Sequence, residues 1–172
     1  MAKINVNPTR MELSKLKKKL QSAKRGHKLL KDKRDELMRQ FMILIKEDKQ
    51  LRTEVENAIS EANKYMAVAG SVMQREVMET ALMLPKQEVQ IEVEQKNVMS
   101  VYIPEFKTSY KTNNPNDIYS YGMAFTSIEL DGAVSALNEV FPKMIRLAEV
   151  EKACHLMADE IEKTRRRVNA LE

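Results

Sequence analysis

The residue types able to do chemistry in this chain are few. Cys154 and His155 adjoin each other, and His27 is the only other histidine. A thiol beside an imidazole suggests two ligands of a metal. On a helix, however, the pair needs further ligands from elsewhere, and it reads as packing. No Ser or Cys has a plausible catalytic histidine partner nearby in sequence. The four glycines, Gly26, Gly70, Gly122 and Gly132, are too scattered to build a phosphate-cradling loop. His27 falls on an apolar repeat, where a polar residue fixes register more often than it binds a ligand. The residues therefore predict no catalysis, no cofactor and no metal.

The elements that carry these residues are long helices. Apolar residues make up 43% of the 172, but aromatics only 5%, with no Trp, a profile poor in the side chains that line deep pockets. Thr9 and Glu12 have the spacing of a capping box, with Pro8 beside them as a helix opener. From Leu13 to Val72, positions taken in a strict three-four alternation are apolar in fifteen cases of eighteen, the exceptions being His27, Arg34 and Asp48. Leu16, Leu20, Leu30, Leu37, Phe41, Leu44 and Leu51 are its core. A period of 3.5 is a coiled-coil seam, and a helix of sixty residues spans roughly 90 Å. The beat falters near Gly70 and the helix ends before Pro85.

Residues 87–104 change period. Val89, Ile91 and Val93 alternate with polar residues, as do Val101 and Ile103, with the reversal placed at Glu94–Asn97: a β-hairpin projecting sideways. Residues 111–122 are a turn-rich connector. A second helix runs from about Ile118, its seam including Leu137, Met144, Leu147, Ile161 and Val168, with a kink expected at Pro142. The chain thus divides into a first helix at 1–84, hairpin and connector at 85–117, and a second helix at 118–172. The fold class is all-α and elongated, an antiparallel two-helix coiled coil with a small hairpin in its connection. If Val72 lies near Phe125, facing residue numbers add to about 197, Glu172 sits opposite Arg25, and the first two dozen residues lack a partner within the chain.

Charge is uneven. Residues 1–46 hold fourteen Lys/Arg against four Asp/Glu, whereas the remainder is net acidic. Such asymmetry points to an acidic surface or phosphates as the partner of the first part. Nucleic acid fits poorly, because basic residues share their turns with heptad leucines and no aromatics interleave to stack bases. Met38, Met42, Ile43 and Ile45 lie off the seam and widen it, as a docking face for a second protein would. A lone Cys, no signal-peptide core and no apolar run of roughly 18 residues fit a cytoplasmic protein, at most peripheral to a membrane and not inserted in it.

The stretch "NPTRMELSKLKKKLQSAKRGHKLLKDKRDEL" closely resembles the N-terminal signature of the D subunits of V-type ATPases. "VEQKNVMSVYIPEF" is similar to that family's hairpin, and "EVEKACHLMADEIEKTRRRVNALE" to the opening of its C-terminal shaft helix. Family members continue beyond that point, so the leucines of the first stretch are expected to meet a helix this sequence does not contain. The resemblance implies a non-catalytic rotor shaft in the central stalk, coupling ATP hydrolysis in a ring of A and B subunits to a membrane ion-translocating ring. It implies the V-type ATPase F subunit as a partner at Met38, Met42, Ile43 and Ile45, and a membrane-side rotor subunit at the end with the hairpin. Arg10, Lys17, Lys18, Lys24, Arg25 and Lys28 would meet the cavity of the ring. The location implied is the cytoplasmic face of a membrane. A free-standing coiled-coil scaffold, homodimerising through the leucine stripe, is the alternative.

Overall fold

A computed structural model describes residues 7–112, 114–122, 124 and 126–171. Thr9 opens helix α1 (Arg10–Val72) by accepting the Glu12 N–H on Oγ1 at 3.3 Å. The capping box is only half used, because the Glu12 carboxylate turns to Lys15 Nζ at 3.0 Å. At 63 residues, α1 is about 95 Å long. It stops where Met73 and Gln74 turn extended, and helix α2 (Arg75–Leu82) follows as a separate piece. The sequence pattern placed the end nearer Pro85; the interruption falls where the apolar beat fails.

Strands β1 (Val89–Val98) and β2 (Val101–Tyr110) form one antiparallel ribbon. Its reversal is at Met99 and Ser100, both at positive φ (51° and 69°), not at Glu94–Asn97. Two residues of that kind make the turn whose twist matches the flanking strands. Asn97 Oδ1 accepts the Ser100 N–H at 2.9 Å and steadies it. Glu94–Asn97 read as a loop because they are polar, but an exposed ribbon buries neither face there, so polar side chains are no obstacle to pairing.

A short 3₁₀ turn (Pro115–Ile118) precedes helix α3 (Ile128–Leu171), which begins ten residues later than the sequence suggested. Pro142 lies inside α3, which runs on through it. Proline has no N–H, so the Asn138 carbonyl loses its usual partner. The connector packs at this point, with Gln87, Tyr110, Thr112 and Ile118 lining a recess beside Asn138 and Pro142.

Helices α1 and α3 lie antiparallel. Phe125 and Glu172, used to frame the pairing, fall outside the described residues, but four cross-helix ion pairs set it. Lys33–Glu160 (2.9 Å), Arg146–Glu47 (2.7 Å), Lys143–Glu54 (3.1 Å) and Arg52–Glu151 have residue numbers adding to between 193 and 203. Buried between the helices are Leu37, Val55, Ala62 and Ala69 from α1, and Leu130, Ala133, Val140, Val150, Ala153, Met157, Ile161 and Val168 from α3. The alanines let the backbones approach, and Tyr65 lies over Gly132.

After Pro142 the most buried positions differ from the expected seam. Val150, Ala153, Met157 and Thr164 face inward in place of Glu151, Cys154, Ala158 and Arg165. The hairpin accounts for this. It does not project sideways but lies along α3, its tip residues Val98, Val101 and Ile103 packed on the cluster of Leu37, Met157 and Ile161. With β2 on one flank and α1 on the other, the buried face of α3 turns toward both.

Candidate functional site

The thiol and imidazole come first. Cys154 is half-buried and His155 exposed, neighbours on one recess between α1 and α3. Burial pushes the thiol above its ordinary range, and the carboxylates of Asp48, Glu47 and Glu151 push it the same way. The thiolate is the nucleophile, so this environment disarms the residue. Among the described residues no group of three or more His, Cys, Asp or Glu is placed to hold a metal ion.

That recess, about 360 Å³, is lined by Phe41, Ile45, Asp48, Arg52 and Glu151 as well as the Cys154 pair. A second recess shares Phe41 and Ala158 with it and continues past Met38, Ile161 and Arg165 to Arg34. Together they form a trough along the coiled coil, apolar on its floor and charged at both rims. Its α3 wall is built from Glu151, Cys154, Ala158 and Arg165, the residues the seam released when it turned toward the hairpin. Met38 and Ile45, 43% and 38% exposed, line the trough seven residues apart. Met42 and Ile43 are also exposed but line neither recess. At about 100° per residue, Ile43 lies roughly 140° around the helix from Met38. Asp48 Oδ1 is buried there without a hydrogen-bond partner among the described residues.

Arg10, Lys17, Lys18, Lys24, Arg25 and Lys28 all stand exposed on the first part of α1. Leu13, Leu16 and Leu20, at 54%, 39% and 57% exposure, share this surface, while Leu30 is half-buried. Of the remaining seam positions, Leu37 is fully buried, Phe41, Leu44, Leu51 and Leu147 are half-buried, and Leu137 and Met144 stay two-fifths exposed. In the hairpin, Val101 is buried and Val89 and Ile103 partly so, whereas Ile91 and Val93 are open to solvent.

One constellation escaped the sequence reading. Arg146 joins Glu47 of α1 to Glu149 of its own helix, and Glu149 accepts the Phe106 N–H of β2. The pairing sum was the usable signal, since it sets Glu54 opposite Lys143 and Glu47 within a turn of Arg146. The contact to Phe106 had no signal, because nothing in the pattern laid the hairpin along α3.

At the other end, Ser120 Oγ donates to the Ala81 carbonyl at 3.1 Å and Tyr121 donates to Asp131 Oδ1 at 2.8 Å, tying α2 and α3 to the connector. Burial, and then this bond to Asp131, raises the Tyr121 phenol well above its ordinary range. Val72, Met83, Leu84 and Ile128 are the most exposed large apolar residues of this end.

Known proteins resemble this chain along nearly its whole length. The family model for the D subunit of ATP synthase matches residues 12–172. The V-type ATP synthase D subunit of Clostridioides difficile (strain 630) is 56% identical over 173 residues, covering all of this chain and 77% of that one. The proteins of that name from Acetivibrio thermocellus and Fusobacterium nucleatum subsp. nucleatum are 54% and 55% identical, over all of this chain and 78% and 81% of theirs. With nearly the whole length matched by the family model and by relatives above half identity, this chain belongs to the ATP synthase D-subunit family.

Proposed function

We propose that the chain is the central-stalk rotor subunit of a V-type ATPase, a non-catalytic axle. It transmits torque between a catalytic ring of A and B subunits and the membrane ring that moves ions. The observation that carries this reading is the seam buried between α1 and α3 from Leu130 to Val168, braced by ion pairs on its surface. Interlocked side chains along such a seam resist bending and twisting, which an axle needs. The relatives named above lend their name to it.

The exposed basic residues Arg10, Lys17, Lys18, Lys24, Arg25 and Lys28 suit the cavity of the ring, because exposed ion pairs are individually weak and let surfaces slide. The F subunit docks on the trough through Met38 and Ile45, with Met42 exposed one turn beyond Met38. Because the hairpin lies mid-shaft, the end formed by α2 and the start of α3 is the one that meets the membrane-side rotor subunit. Its bare Val72, Met83, Leu84 and Ile128 supply apolar contact. The axle works on the cytoplasmic face of the membrane without entering it; no described helix is long and apolar enough to cross one.

The test is assembly. The purified chain, mixed at micromolar concentration with the F subunit and with A and B subunits of a relative, is expected to co-elute one-to-one with F and once per ring. Failure to join either counts against the axle, and a tight homodimer indifferent to F would favour a coiled-coil scaffold.

A further inference from the structure

The outer edge of β1 is unclaimed. Phe106 directs its N–H away from β1, to Glu149. Its ladder partner Val93 therefore sits in a non-hydrogen-bonded pair, and by alternation so do Val89, Ile91, Gln95 and Asn97. Two further observations fix the same parity. Pro104, which has no N–H to give, pairs with Gln95, and Lys111 donates to the Glu88 carbonyl at 3.0 Å in the complementary set. The N–H and C=O groups of Ile91, Val93 and Gln95 thus point outward from the ribbon. Among the described residues no hydrogen bond reaches them, and Gln90 to Asn97 are all exposed.

Sheet edges of this length are normally blunted by a bulge, a proline or a cover. Here the proline and the cover are on β2, which leans on α3, and the ladder shows one-to-one pairing without a bulge. The side chains beside the bare edge follow a pattern. On one face stand Ile91 (46% exposed) and Val93 (62%). On the other, Glu92, Glu94 and Glu105 outnumber Lys96 and Lys107, leaving a small excess of negative charge.

The geometry points to β1 as the acceptor of a third strand: an extended segment of a partner protein in which apolar residues alternate with Lys or Arg. Its main chain would pair with Ile91, Val93 and Gln95, its apolar side chains would cover Ile91 and Val93, and its cations would lie beside Glu92 and Glu94. The inference stands apart from the axle reading, since it needs only the ribbon and its charges.

The probe is a synthetic ten-residue peptide alternating Thr or Val with Lys, added to the full chain, with a Glu-for-Lys peptide as control. Backbone amide exchange is followed by NMR. The lysine peptide is expected to slow the Ile91, Val93 and Gln95 amides at least tenfold, leave Gln90 and Glu92 unchanged, and lose affinity as salt rises. The Glu peptide should bind at least tenfold more weakly. Val93→Pro deletes an outward N–H that the β1–β2 ladder does not use, and should weaken binding at least tenfold. Ile91→Lys, which repels the probe without touching the backbone, should do the same. Unchanged exchange at the three amides, equal binding of the Glu peptide, or indifference of the Ile91→Lys chain would overturn the proposal. So would protection that grows with protein concentration alone, which would mean that a second copy takes the edge.

Discussion

Arg146 of α3 reaches Glu47 of α1 at 2.7 Å, and the other arm of the same guanidinium holds Glu149 at 2.6 Å. Glu149 in turn accepts the Phe106 N–H at 3.4 Å, so one side chain ties both helices to the hairpin. Glu149→Ala should speed exchange of the Phe106 amide by about tenfold, the equivalent of roughly 1.4 kcal/mol for a charge-assisted bond. Global stability should fall by about 1 kcal/mol or less, because the Arg146 side chain is 48% exposed and solvent screens its pairs. Exchange measured by NMR and a urea titration read the two effects separately.

Leu37 is fully buried where helix, helix and hairpin meet. Leu37→Ala should cost about 2–5 kcal/mol, the range for a leucine cavity that cannot collapse. Leu13→Ala, at a 54% exposed position of the same repeat, should stay within about 0.5 kcal/mol. Equal losses in denaturant titrations would mean that the repeat, not burial, governs stability.

Gly132 sits near the start of α3, and a Cβ placed there would lie 3.5 Å from Tyr65 Cδ1, an ordinary contact. Gly132→Ala should therefore stabilise the fold by about 0.5–1 kcal/mol, by reducing the freedom of the unfolded chain. A raised melting temperature checks it.

The Glu36 carboxyl is held down to about 2, mainly by its bond to Arg39 and next by that to Gln40. Its folded value lies below the unfolded one. The stability it contributes is present above the ordinary value of 4.5 and disappears as pH falls through about 2. A carboxyl-carbon NMR titration should find that low midpoint, and Glu36→Gln should flatten the acid limb of the stability curve.

Cys154 should react slowly with iodoacetamide at neutral pH, with a rate that rises only above the usual thiol range. Asp48→Asn, which removes a neighbouring negative charge, should lower that midpoint. A rate equal to that of free cysteine would contradict the half-buried, acid-flanked setting.

The first helix was legible because its repeat is nearly unbroken and its partner runs back along it, with facing residue numbers adding to between 193 and 203. Leu37, Val55, Ala62 and Ala69 could be picked out on those grounds alone. Periodicity reports one burying partner at a time, and this is why α3 was harder. Between Val150 and Thr164 it serves α1 and β2 together, and the side chains assigned to the seam became the wall of the trough. The turn at Met99–Ser100 carries no Gly or Pro, so no local punctuation marked it. Met38, Met42, Ile43 and Ile45 were all readable as apolar residues off the seam. That criterion does not say which side of the seam each takes, and Ile43, about 140° round the helix from Met38, lines neither recess.

Because the ribbon covers a single flank of the helix pair and the opposite flank stays furrowed, the rod has no rotational symmetry about its long axis through this stretch. Turned in place, it presents in succession a ribbon, a bare helix back and a hollow. An encircling body gripping it at this height would therefore feel its angle, as a follower feels a cam.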